Sequence, residues 1–325
     1  MLRSIAAATL LFGTTATHAT DIRPSQMAHT FSIVCYDSAT GQFGAAVQSH
    51  WFKVADVIWA EPGVGAVATQ SLVDFTYGPL GLEMLRHGRS AFATLQGLLT
   101  ADSNNAVRQV AIIDRTGAVA THTGTKCIAE AGHHTGKFSS CQANLMLRNT
   151  VWDAMAIAFE STKGDLAERM MSALEAAERE GGDIRGKQSA AMIVVAAKPT
   201  GMVWRDRLVD LRVDDSPEPL PELRRLLNIT RAYDHMNKGD DYSALKKFDS
   251  SNYEYAEAAR LNPGNLEIQF WHAVGLVTAG EVDRSLPIFH EIFKADTLWR
   301  VLIPRLVKSE LLPNDEKIIQ KIVRQ

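Results

Sequence analysis

The sequence predicts a layered α+β domain, with antiparallel sheets packed on each other and helices outside, followed by an all-α region. Three observations lead there. Strands and helices alternate in blocks, with helices arriving in pairs between hairpins, which suits stacked layers better than the strict βαβ alternation of a parallel sheet. Residues 214–221 hold three prolines and three acids, the mark of a stiff solvated linker. Every segment beyond them reads as helix.

The chain has 325 residues, 46% hydrophobic and 22% charged, which is room for two cored domains. It opens with Met1-Leu2-Arg3, an apolar run from Ile5 to Phe12 and small residues at positions 16–19, the order of a signal peptide. Cleavage after Ala19 is expected, and with it export to a periplasm or the exterior. The run falls short of the ~20 apolar residues of a membrane span, and no lipid-bearing Cys follows, so no membrane anchor is expected. Residues 20–28 read as a flexible leader.

Strands come next. Residues 30–37 are apolar and headed by a hydroxyl residue, Thr30; a turn at 38–41 leads to a strand over 43–49. A turn at 61–64 precedes a third strand at 65–70. Residues 79–86 and 90–100 read as helices, broken at Gly88, with Ser90 as N-cap. Strands follow at 108–114, 119–123 and 138–144. Residues 150–159 form a helix with Val151, Met155, Ala158 and Phe159 on one face. Asp165 and Glu168 have capping-box spacing before an apolar stripe of Leu166, Met170, Leu174 and Ala177. Strands return at 189–197 and 208–213. Beyond the linker, helices are expected at 223–238, 242–260, 265–279 and 282–295, with a last pair over 301–325 and breaks at Gly239, Pro263-Gly264 and Gly280.

Several chemistries are set aside. A net charge of -3 and a pI near 6.4, with no basic-aromatic run, argue against nucleic acid. His133 and His134 are adjacent, His122 sits on another element, and no His-Glu-x-x-His spacing occurs, so no metal is expected. The Gly-rich segments lack a Gly-Lys-Ser/Thr ending, so no phosphate loop and no cofactor are expected. Three cysteines make no disulfide framework; Cys127 and Cys141 could pair, or all three could be small buried apolar residues.

Long strings carry a resemblance. Glu61-Pro62-Gly63-Val64-Gly65-Ala66-Val67-Ala68-Thr69-Gln70 and Gly182-Asp183-Ile184-Arg185-Gly186-Lys187-Gln188-Ser189-Ala190-Ala191, with 29–37, 44–52, 108–127 and 142–146, resemble an uncharacterised bacterial family, domain of unknown function 1028, which is similar to the N-terminal nucleophile (Ntn) hydrolases. The resemblance spans roughly 29–213 and implies a four-layer αββα sandwich. Thr30 is the position that resembles the family's candidate nucleophile, its own α-amine serving as base near pH ~8. Freeing that amine needs a cut between His29 and Thr30, since cleavage after Ala19 leaves residues 20–29 attached. The hydroxyl is expected to reach a cleft. Ser32 shares its face by strand alternation and is a weaker substitute.

The polar residues around this strand supply further candidates. Gln48, Ser49 and His50 end the second strand near Thr30, Gln48 and Ser49 on opposite faces, so one of the two can serve, and Ser49 joins the catalytic candidates. Thr69, Gln70 and Ser71 close the third strand before a helix, where backbone N–H groups could hold an oxyanion. Asn144 could donate to the same oxyanion, and Asp183 with Arg185 could anchor a substrate carboxylate or pair with each other. As structural alternatives, Thr30 simply begins a strand, Gln48–Ser49 end one, and residues 69–71 cap a helix.

Residues 222–325 resemble tetratricopeptide-type repeats, through Ala256, Ala259 and Leu261 before Asn262-Pro263 and then Trp271, Gly275, Gly280 and Phe289. Two functions follow as expectations. One is an exported amidohydrolase acting on a small amide or peptide bond; the other is a non-catalytic binding module whose helical tail docks a protein or cell-wall partner. A homo-oligomer is compatible with either.

Overall fold

The computed structural model describes residues 26–325, so the expected signal peptide at 1–19 and leader residues 20–25 lie outside the described part. Two antiparallel sheets face each other. The first runs in the order β1 (Gln26–Ala28), β5 (Gly65–Val73), β6 (Arg108–Asp114) and β7 (Val119–Thr123), with β4 (Ile58–Glu61) sharing the outer edge of β5. The second runs β11 (Arg207–Val213), β10 (Ser189–Val195), β3 (Phe43–Ser49), β2 (Thr30–Tyr36), β9 (Ser139–Ala143) and β8 (Gly132–Thr135).

Strand periodicity sends the side chains of each sheet to two faces, which makes three layers of core. Val34, Ala45, Val47, Ala66, Ala68 and Ala111 meet between the sheets. Val67, Val110 and Ile112 face the other way, onto α1 (Tyr77–Arg86) and α2 (Ala91–Ala101). Phe31, Ile33 and Cys35 lie under α3 (Val151–Ser161) and α4 (Leu166–Arg179). The residues between the sheets are small, and Gly65 is required within its own sheet: at φ 152° a Cβ there would sit 2.1 Å from the carbonyl oxygen of Ile113 on the neighbouring β6.

Four expectations need correction here. Gln26–Ala28 is not flexible lead but strand, paired with Ser71–Val73. The third strand continues through Val73, so Thr69, Gln70 and Ser71 lie inside β5 and not at a helix N-terminus. The capping box closes on one side only: the Asp165 side chain accepts from the Glu168 N–H, but the Glu168 carboxylate turns away to Arg224 and Arg231. The linker is shorter than 214–221, because α6 (Pro219–Ala244) starts with Pro219 in its first turn, where the missing N–H costs nothing.

That last difference changes the domain boundary. Leu220, Leu223 and Leu227 join the helix-side core, over β10 and β11 and beside α4, and Arg224 bridges Glu168 and Glu175 while Arg231 bridges Glu168 and Asp165. The start of the helical region is thus the lid of the first core. Gly239, expected as a break, lies within α6 because the Tyr255 ring packs against it: a Cβ there would meet that ring at 3.1 Å. After the short α5 (Val203–Asp206), met before β11, the remaining helices are α7 (Phe248–Leu261), α8 (Leu266–Thr278), α9 (Val282–Ala295), α10 (Leu298–Lys308) and α11 (Glu316–Val323). The last four share a core around Phe270, Phe289 and Phe293. No described helix is long and apolar enough to cross a membrane.

Cys35, Cys127 and Cys141 are free thiols, so the Cys127–Cys141 pairing is not formed. Burial pushes all three thiols up from their ordinary value.

Leu223→Ala is expected to destabilise the two-sheet domain by about 2–4 kcal/mol, the range for a fully buried leucine, read by urea unfolding with a probe in the sheets. A loss below about 1 kcal/mol would separate α6 from that core.

Candidate functional site

At one end of the space between the sheets, the small apolar residues give way to polar ones. Thr30 and Ser32 of β2, Ser49 of β3, Gln70 of β5, Gln109 of β6 and Gln142 of β9 all occupy inward positions there, with Asn144 just past β9. All are buried. Burial of amides is tolerated only if they pair, and, Gln142 Oε1 apart, these do so in one determined sense.

The direction is set by backbone carbonyls. Gln109 Nε2 donates to the carbonyls of Gly132 (3.1 Å) and Ala143 (2.9 Å) and to Thr123 Oγ1 (2.9 Å). Its Oε1 must therefore accept, and it does so from Gln70 Nε2 (2.7 Å) and Asn144 Nδ2 (2.9 Å). Gln70 Nε2 also reaches the Thr30 carbonyl at 2.9 Å, which leaves Gln70 Oε1 to accept from the Ser32 hydroxyl at 2.7 Å. Asn144 Oδ1, left as an acceptor, takes Nδ1–H of His29 at 2.8 Å. The tautomer of His29 follows from carbonyls two residues removed in the chain of bonds.

The junction between β1 and β2 sits at the end of this chain. The His29 carbonyl accepts two hydrogen bonds, from Ser49 Oγ at 2.5 Å and from Arg185 Nη2 at 2.7 Å. Arg185 is aimed by Asp183, whose buried carboxylate takes its Nε (3.0 Å), its Nη2 (2.7 Å) and its backbone N–H (3.0 Å). The second Asp183 oxygen also accepts the His50 N–H, and the loop is pinned to Leu145–Leu147 by backbone bonds. Burial first, and then the Arg185 charge, hold the His29 imidazole below its ordinary value, although the Asn144 bond and Asp183 act the other way.

Thr30, Ser49, Gln70, Asn144, Asp183 and Arg185 are thus brought together, in roles partly unlike those expected. Asn144 does not face the His29 carbonyl; it holds the His29 ring, and its N–H bonds the Thr30 carbonyl at 3.1 Å. Asp183 and Arg185 do pair, and Arg185 still has an N–H for the junction. Ser71 is set apart by its backbone, φ 74°, opposite Ala28. Gln48 points to the helix side and His50 is exposed, bonded to the Lys187 carbonyl. Thr69 lies on the helix side of β5. The Thr30 hydroxyl does not reach a cleft: the residue is 0% exposed, and Oγ1 donates to the Ala28 carbonyl at 2.8 Å. What seals it is the leader itself, Ala28 and His29. A groove of ≈ 560 Å³ between β4 and the β10–β11 edge, lined by Trp59, Arg207 and Arg212, contains none of these residues.

Gln109, Gln142 and His29 were not singled out by the sequence. The available signal was one glutamine in each of β5, β6 and β9, at positions that share a face only once the register is known.

Residues 30–223, more than half of the chain, match a family described as a family of unknown function (DUF1028). The chain belongs to that family. A crystal structure of protein SPO2555 from Silicibacter pomeroyi, assigned to the same family, is similar at 30% identity and a TM-score of 0.55, covering 62% of this chain and 88% of that one. A comparison with curated proteins gives no match. The family match opens on Thr30, leaving β1 and His29 outside, and closes on Leu223 in the first turns of α6.

Because His29 is held neutral, its protonation opposes the leader's seat. The folded-state value lies below the ordinary 6.5, so the stability of this seat is complete above about pH 6.5 and falls as pH drops through and below it. Amide hydrogen exchange over residues 26–28 and 71–73 should show less protection at pH 5.5 than at pH 7.5, and His29→Asn should flatten the difference. Equal protection at both pH values would contradict a neutral, seated His29 between Asn144, Asp183 and Arg185.

Proposed function

We propose that this protein is an exported Ntn-hydrolase-like amidohydrolase, built on a four-layer αββα sandwich, in the form that precedes release of its nucleophile. The observation that carries the reading is the pair of donors on the His29 carbonyl, Ser49 Oγ and Arg185 Nη2. They sit on the one carbonyl whose bond must break to give Thr30 a free α-amine. Preformed donors on a carbonyl in a water-poor site stabilise the oxyanion that attack creates. The family match beginning at Thr30 supports the same boundary.

The step balances within the chain. Thr30 Oγ attacks the His29 carbonyl carbon, the His29–Thr30 C–N bond breaks, and the hydroxyl proton ends on the departing nitrogen, giving an ester and a free amine. Water then hydrolyses the ester, leaving His29 as a carboxylate and restoring the Thr30 hydroxyl. In the released enzyme the amine, with an ordinary value near ~8, takes the hydroxyl proton when a substrate amide occupies the same donors. Gln70 and Asn144 keep the Thr30 carbonyl fixed throughout, and the tetratricopeptide-like tail positions the enzyme against a protein or cell-wall partner.

A second reading, a non-catalytic binding module on the same domain, is favoured by the complete burial of the Thr30 hydroxyl and its bond to Ala28. Intact-mass measurement and N-terminal sequencing of protein from its export compartment decide between them. The expected mature chain starts at Thr30, Thr30→Ala stays uncut, and Ser49→Ala and Arg185→Ala each slow the cut by about 10²–10³-fold. A mature chain that keeps His29, in wild type and Thr30→Ala alike, would overturn the catalytic reading.

A further inference from the structure

The leader covers an edge that no other described element covers. β4 pairs with β5 over Gly65–Ala68, and β1 pairs with it over Ser71–Val73, so departure of the leader bares the backbone groups of 71–73 beside Ser49, Asn144 and Arg185. An open strand edge of this kind binds an extended chain by strand addition. What it binds best is written in the segment that already occupies it.

Three features of that segment are specific. At position 28 the side chain is a methyl group, 0% exposed among Val34, Val47 and Val73 of the inter-sheet core. At position 29 the ring is 2% exposed and donates to Asn144 Oδ1, an oxygen committed to accepting because Asn144 Nδ2 is already donated to Gln109. The far ring nitrogen, Nε2, is buried without a protein partner. The carbonyl that follows is met by Ser49 and Arg185. The seat therefore asks for an extended backbone, a small residue, then a flat side chain with an N–H donor, then an acyl carbon at the donor pair.

We propose that the substrates are peptides, or amides of peptides, that enter as a strand on Ser71–Val73 with a small residue followed by an imidazole or carboxamide side chain at the acyl position. This rests on the amidohydrolase reading, and it makes the leader the first substrate and, until cut, the occupant that excludes others. A leucine there leaves Asn144 Oδ1 without a donor, and a lysine brings a charge beside Arg185; both lose the match.

The test removes processing as a variable. The full chain carrying Thr30→Ala cannot cut itself, and Ala28→Trp added to it puts an indole where only a methyl fits, expelling the leader; Ala28→Asp serves where the Trp variant does not fold. Hydrogen exchange at 71–73 reports that the edge is free. Binding of fluorescent acetyl-Ser-Gln-Met-Ala-His, the leader's own sequence, is then measured by anisotropy against the same peptide with His replaced by Gln, Leu or Lys, and with Ala replaced by Trp.

The expected result is no binding to Thr30→Ala alone, binding to the double variant by the His and Gln peptides, and at least tenfold weaker binding by the Leu, Lys and Trp peptides. Equal binding of all five, or none once residues 71–73 exchange freely, overturns the proposal, as does failure of both variants to free the edge. Because the nucleophile is absent, the outcome is independent of the intact-mass result. Selective binding with no cut at Thr30 retains the peptide seat and removes the enzyme; a cut without selectivity does the reverse.

Discussion

Everything at the β1–β2 junction depends on the commitment of Gln109. Its amide nitrogen is claimed by the carbonyls of Gly132 and Ala143, which cannot reverse, so its oxygen must accept and the amides of Gln70 and Asn144 are oriented in turn. The result is a buried network with one direction, ending on the Thr30 carbonyl and the His29 ring. Such networks are costly when a member is missing and rigid when complete. Here the rigidity fixes a peptide bond, with its carbonyl presented to Ser49 and Arg185 from the opposite side.

The leader converts this rigidity into a closed state. A protein with an open cleft at Thr30 would expose a ring of polar groups and the bare edge of β5. Instead Ala28 fills the inter-sheet core, β1 pairs the edge, and the Thr30 hydroxyl is tied to the Ala28 carbonyl. Sealing and positioning are therefore the same set of contacts. Under the proposed function, one cut removes both at once, turning a buried junction into an amine, a hydroxyl and an oriented donor pair.

Much of the fold was legible because its signals are local. The alternation in 30–37 and 43–49, the Ser90 and Asp165 caps and the apolar stripe of α4 each depend on a few neighbouring residues. The features that were missed depend on partners far away in sequence. β8, whose Gly132-His-His-Thr135 has no strand composition, exists because β9 pairs with it. Gly239 stays helical under the Tyr255 ring, and the start of α6 is drawn onto the first core by Leu223 and the Arg224 ion pairs. Among the site residues, Thr30, Ser49, Gln70, Asn144, Asp183 and Arg185 stood out as polar residues beside apolar strands. Gln109 and Gln142 did not, since only the register shows that they face Ser32 and Gln70 rather than solvent.

Release of the Thr30 amine turns on one peptide bond, and the chain contains His-Thr junctions at 29–30, 122–123 and 134–135. Labelling histidine with ¹³C at the carbonyl and threonine with ¹⁵N gives one amide NMR correlation for each. The expected result is a Thr30 correlation whose carbonyl shift moves on Ser49→Ala or Arg185→Ala and which, in the wild-type chain, alone disappears with time as the bond is cut. Three lasting correlations, with the His29 carbonyl indifferent to both substitutions, would contradict it.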